Sequence, residues 1–143
     1  MEILLVEDSP ADVDLALESF AESPVDHRVH TVSDGEGALD FLHRRGSHAA
    51  APRPDLVILD LNLPRKDGRE VLADIRADAA LKDLPVVVLT SSESERDMYS
   101  CYQLQANCYV VKPIGLQEFQ RTMRAIQRFW LETVAALPTQ ESD

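Results

Sequence analysis

A chain of 143 residues and 16.0 kDa, 45% hydrophobic, has the size and apolar content for one packed core. Its 25 acidic residues against 14 Lys and Arg leave a formal charge of -11, which repels a phosphate backbone and argues against direct nucleic-acid binding. No apolar run approaches the roughly 18 residues of a membrane span, and Met1-Glu2 lacks the positive region of a signal peptide, so the expectation is a cytoplasmic protein without membrane contact.

Short β-rich apolar runs recur at Ile3 to Val6, Val29 to Val32, Leu56 to Leu59, Val86 to Leu89 and Tyr109 to Val111, each followed by a segment of helical periodicity. In the first helix Val13, Ala16, Leu17 and Phe20 form the apolar stripe, with Ser9 as N-cap, Pro10 at the first position and Asp12 completing a box-like start. The second carries Ala38, Phe41 and Leu42 and stops near Gly46, ahead of a small-residue and proline loop to Pro54. The third begins at Asp67-Gly68 and buries Val71, Leu72 and Ile75. Ser92 with Glu95 predicts a capping box for the fourth, and Leu116 opens a fifth that runs to about Ala136 with Phe119, Met123, Ile126 and Trp130 as its apolar stripe. Residues 1–136 are read as one domain, and 137–143 as a polar tail. Cys101 and Cys108 are read as free thiols, and the four histidines show no zinc-type pairing with them.

Five βα units require a parallel sheet with helices on both faces, an α/β doubly wound fold. With strand order 2-1-3-4-5, ligands bind beyond the carboxyl ends of the first and third strands. The strand ends supply Glu7-Asp8, Asp60, Thr90 and Lys112. Three carboxylates crowded there call for a compensating hard cation with oxygen ligands, and Mg²⁺ is the natural candidate. With a metal on one side and Thr90 and Lys112 on the other, the equatorial oxygens of a phosphoryl group in transfer can be neutralised, which makes Asp60 the nucleophile. Singly, each residue has an ordinary explanation as a helix cap, a strand threonine or a solvated lysine; four strand ends supplying the set jointly do not.

These residues resemble the receiver domains of two-component response regulators: Ile3-Leu4-Leu5-Val6-Glu7-Asp8, Leu59-Asp60-Leu61-Asn62-Leu63-Pro64, Asp67-Gly68, Pro85 to Thr90 and Tyr109-Val110-Val111-Lys112-Pro113, over about residues 1 to 125. The separations of 30 residues from Asp60 to Thr90 and 22 from Thr90 to Lys112 match the family's. The resemblance implies the flavodoxin-like form of the fold and a Mg²⁺-dependent phosphoacceptor, Asp60, that catalyses its own phosphorylation and dephosphorylation without being an enzyme in the usual sense. It implies Asp8 and Asp60 as metal ligands, Glu7 assisting through water, and the backbone carbonyl of Asn62 as a further ligand. Thr90 and Lys112 would hold the phosphoryl oxygens, Tyr109 would be the switch aromatic that follows Thr90, and the Lys112-Pro113 bond would be cis.

Leu63-Pro64-Arg65-Lys66-Asp67-Gly68, the loop before the third strand and the aromatic final helix look like the stand-alone regulators of bacterial phytochrome histidine kinases. The expected partner is therefore a sensor histidine kinase, a bacteriophytochrome among them, or a phosphotransfer protein. Phe129-Trp130-Leu131 spans about 200° of the last helix, wider than one core needs, so one of these side chains should face outward. With Tyr99 and Tyr102 on the fourth helix, Phe129 and Trp130 form the expected surface of a phosphorylation-dependent homodimer. The rival readings are an FMN-binding carrier on the same fold, whose phosphate loop would stand where Glu7-Asp8-Ser9 does, and a phosphatase, which would carry a second acid where the chain has Asn62.

Overall fold

The computed structural model describes residues 1–134; the C-terminal tail and the end of the expected last helix lie outside the described residues. Five parallel strands, β1 (Glu2–Val6), β2 (Arg28–Val32), β3 (Leu56–Leu59), β4 (Val86–Thr90) and β5 (Cys108–Val111), form a sheet of order β2-β1-β3-β4-β5. Helices α1 (Pro10–Ala21), α2 (Gly35–His43), α3 (Gly68–Ala77), α4 (Glu95–Gln103) and α5 (Leu116–Gln127) alternate with them. This is the expected doubly wound, flavodoxin-like fold.

The continuous apolar runs of β3 and β4 arise because both of their faces are covered, and every residue of the two strands is buried. On one face Leu4, Val6, Val57, Leu59, Val86 and Val88 pack with α2, α3 and Cys101 of α4; on the other Ile3, Leu5, Ile58 and Val87 pack with Phe20 of α1 and Phe119, Met123 and Ile126 of α5. Burial of such a side chain contributes about 1.5–3 kcal/mol, so the central strands dominate the core. The edge strand β2 is half exposed.

The helix starts follow from local chemistry. Ser9 Oγ accepts the Asp12 amide at 3.3 Å with Pro10 as the first helical residue, as expected. At α4 the cap is Ser94, whose hydroxyl accepts the Asp97 amide at 3.3 Å. The expected Ser92 cap is displaced because the Ser92 hydroxyl donates to the Asp97 carboxylate at 2.6 Å instead. The final helix leaves α geometry at Arg128 and continues as a π-helical turn to Thr133. Within it Leu131 is buried, Trp130 half-buried and Phe129 exposed, so the wide apolar arc does leave one aromatic outward.

One glycine is fixed by the position of Asp60. A Cβ on Gly68 would lie 2.2 Å from the Asp60 carbonyl oxygen and 2.7 Å from Leu61 Cα, both backbone atoms that cannot yield. The absence of a side chain lets the start of α3 close against the end of β3. Among the described residues no helix is long and apolar enough to cross a membrane, and Cys101 and Cys108 are free.

Candidate functional site

Parallel register brings the strand ends together. Val6 pairs with Leu59, so Glu7 and Asp60 emerge side by side; the Asp60 amide donates to Val6 O at 3.1 Å and the Glu7 amide to Val32 O at 3.0 Å. Thr90 pairs with Val111, and the Lys112 amide donates to Thr90 O at 2.7 Å, which aims the lysine across the carboxyl edge of the sheet.

Carboxylate oxygens of Glu7, Asp8 and Asp60 lie within 4.8 Å of one another, with Glu7 and Asp60 buried and Asp8 exposed. The donor set is all oxygen, and it has one open side at Asp8, so it fits a small hard divalent cation that keeps part of its water shell. Asp60 Oδ1 also accepts the Asn62 amide at 3.4 Å, which orients the carboxylate and places Asn62 beside it.

The ammonium of Lys112 contacts Glu7 Oε1, Asp12 Oδ2 at 3.0 Å and Asp60 Oδ2 at 3.3 Å. Burial alone would depress its pKa, yet the bonds to Glu7 and Asp12 and the charges of Glu7 and Asp60 raise it above the ordinary lysine range, so it is a fixed positive charge. Asp12 is the member that sequence reasoning missed. It was assigned to the start of α1, and its amide is indeed in the cap, but its carboxylate faces the sheet edge. The sequence carries no local signal for this contact, because the position of Asp12 three residues after Ser9 already satisfies a helix-start pattern.

Burial pushes the Glu7 carboxyl up to about 7 from 4.5; the Lys112 bond opposes this and the Asp60 charge reinforces it. With a raised pKa, Glu7 favours the folded state below about 4.5, and that contribution is lost as pH rises through about 7. A cation at the site must displace the proton. Mg²⁺ affinity is therefore expected to fall by up to about tenfold per pH unit below 7 and to level off above it, and Glu7→Gln to flatten the profile; calorimetric titration across pH 5.5 to 8.5 measures this.

Thr90 is fully buried, and its Oγ1 accepts the Ser92 amide at 3.4 Å. Tyr109 is half-buried against the core, with its hydroxyl donating to Ser92 O at 3.0 Å, so the threonine and the tyrosine meet at one residue. The expected cis-proline is corrected: among the described residues there is no cis peptide, and Lys112-Pro113 is trans. Trans is the ordinary preference of X-Pro bonds, and Lys112 reaches its three carboxylates from it. Tyr99, Tyr102 and Phe129 are exposed, and the Trp130 ring meets Phe129 edge-on at 5.4 Å. The Tyr102 hydroxyl has a local task as well, accepting the Tyr109 amide at 3.1 Å on the edge strand β5.

Residues 3–124 match the response regulator receiver domain. The chain is 48% identical over 132 residues to response regulator Rcp1 of Synechocystis sp., covering 92% of this chain and 90% of that one. Among solved structures it is similar to the Mn²⁺-bound form of Rcp1, at a TM-score of 0.94 and 47% identity, with 96% of this chain and 99% of that one covered. It is also similar to the phosphorylated cyanobacterial phytochrome response regulator RcpA, at 0.91 and 48%, with 94% and 96% covered. With a matching domain over most of its length and a relative nearly half identical throughout, this chain belongs to the response regulator receiver domain family.

Proposed function

We propose that the chain is a Mg²⁺-dependent phosphoacceptor in which Asp60 takes a phosphoryl group from a histidine kinase and signals by a change of surface. The observation that carries this reading is the convergence of Asp60, Glu7, Asp8 and Lys112 at adjacent strand ends. The Mn²⁺-bound Rcp1 and the phosphorylated RcpA support it by similarity.

Asp60 attacks phosphorus through a carboxylate oxygen and releases the donor. Glu7, Asp8, Asp60 and the Asn62 carbonyl would hold the metal, which when bound offsets negative charge on the phosphoryl oxygens. Lys112 holds one such oxygen, and Thr90 is drawn to another. The last movement breaks its bond with the Ser92 amide and opens space for the Tyr109 ring. An FMN site is disfavoured, because Glu7 and Asp8 occupy the place of the phosphate loop and would repel the cofactor. The similarity to phytochrome regulators favours a kinase of that type as the donor. Incubation with a small-molecule phosphodonor tests the reading: one phosphoryl group by intact mass with Mg²⁺ and none with chelator is expected, and uptake indifferent to chelator would contradict it.

The output surface we infer is a homodimer face that includes Phe129, Trp130, Tyr99 and Tyr102. Phe129, Tyr99 and Tyr102 keep 53%, 67% and 52% exposure, more than a monomer core explains. Sedimentation should give a dimer for the phosphorylated wild type and a lower mass for Phe129→Ala with Trp130→Ala; equal masses would remove the interface.

A further inference from the structure

Ser92 stands two residues past Thr90, in the connection from β4 to α4, and is held from both ends. Its carbonyl accepts the Tyr109 hydroxyl at 3.0 Å, and its own hydroxyl donates to Asp97 Oδ2 at 2.6 Å. The other Asp97 oxygen accepts two nitrogens of Arg69, Nη2 at 2.6 Å and Nε at 3.1 Å. Arg69 is itself oriented by Asp67, whose two carboxylate oxygens each lie 2.9 Å from Nη1. Asp67 caps α3, and the next residue, Gly68, closes on the Asp60 carbonyl.

A series of charge-assisted bonds thus runs from Asp67, at the start of α3 and next to the glycine that packs on the Asp60 backbone, through Arg69 and Asp97 to Ser92 in the loop that follows Thr90. The Arg69 and Asp97 side chains keep only 29% and 19% of their exposure, so this charge-assisted pair is less screened than a fully exposed one. The Ser92 hydroxyl and then the Arg69 guanidinium hold the Asp97 carboxyl below the usual carboxylate range. Helix capping does not require this arrangement, because Ser94 already serves as the cap of α4. The effect of the series is to fix Ser92, and the Ser92 amide is the group that occupies Thr90 Oγ1.

We infer that Arg69 is a positioning residue for the phosphoryl site: through Asp97 and Ser92 it holds the loop after Thr90 in its unphosphorylated arrangement and opposes the movement of Thr90 toward a phosphoryl oxygen. The inference rests on Asp60 being the phosphoacceptor. Breaking the series frees Ser92, so phosphoryl uptake becomes faster, whereas damage to a merely structural ion pair would lower stability and leave the rate unchanged.

The test compares wild type, Arg69→Ala, the shape-conserving Asp97→Asn and the double variant. Uptake is followed by intact mass with a small-molecule phosphodonor and Mg²⁺, and amide hydrogen exchange of residues 91–95 is followed without donor. Each single variant is expected to raise the uptake rate by about fivefold, the low end of coupling between sites, and to speed exchange in the loop. The double variant should do no more than either single one, because both remove the same link. Single variants that react and exchange at wild-type rates, or effects that multiply in the double variant, overturn the latch alone. Wild-type protein that takes up no phosphoryl group overturns the functional reading, and this inference with it.

Discussion

Asp60→Asn is expected to take up no phosphoryl group from a small-molecule donor under conditions that saturate the wild type. A carboxamide has no anionic oxygen to attack phosphorus, so the loss is complete instead of partial. The fold is expected to survive, because Asn is nearly isosteric with Asp and keeps an oxygen for the Asn62 amide, which lies at 3.4 Å in the wild type. Two further consequences separate loss of the nucleophile from loss of the site. The Asp60 charge helps to raise the Glu7 pKa, so Glu7 in the variant should titrate below its wild-type value of about 7. Mg²⁺ should bind more weakly but still measurably through Glu7 and Asp8. Intact-mass measurement and a metal titration on the same sample check both; uptake equal to wild type would show that another residue is the acceptor.

Lys112→Met is expected to slow phosphoryl transfer by about 10²–10³-fold, the usual effect of removing one preorganised charge-stabilising group. It should at the same time tighten Mg²⁺ binding. The ammonium now lies among Glu7, Asp12 and Asp60, and without it their negative potential is uncompensated until a cation arrives. Leaving buried carboxylates without their partner costs about 3–5 kcal/mol, so the metal-free variant should melt well below wild type and recover much of the difference when Mg²⁺ is added. Opposite movement of metal affinity and rate marks a lysine that acts on the phosphoryl oxygens. Loss of both would mean that it only holds the site together. Thermal melts with and without Mg²⁺, beside the uptake rate, distinguish the two.

Most of the fold and the acidic centre were legible because of one physical circumstance. Strands buried on both faces read as unbroken apolar runs, so the residue at which each run turns polar marks the carboxyl edge of the sheet; Glu7 and Asp60 are located in this way, and Lys112 by the shorter apolar run of the half-buried edge strand β5. Helix α1 was equally plain, because its cap, its proline and its stripe are local features. What stayed hidden depends on tertiary contacts. Asp12 satisfied a local cap pattern, and nothing in the spacing announced that its carboxylate would meet an ammonium 100 residues away. Ser92 looked like a cap until Asp97, placed by α4 and drawn by Arg69 of α3, claimed its hydroxyl. The Lys112-Pro113 isomer, which sequence cannot decide, is trans. Phe129, Trp130 and Leu131 exceed one face in sequence, but that Phe129 is the one turned outward depends on how the last turn packs on the sheet, which no local pattern encodes.

The account stands or falls on the atom that carries the phosphoryl group. The direct measurement is to phosphorylate the chain with a small-molecule donor and Mg²⁺, reduce the acyl phosphate with borohydride, and map the altered residue by peptide mass spectrometry. A single modified position at Asp60, absent when Mg²⁺ is chelated, is the expected result. Modification at any other side chain, or at Asp60 to the same extent without the metal, would contradict it.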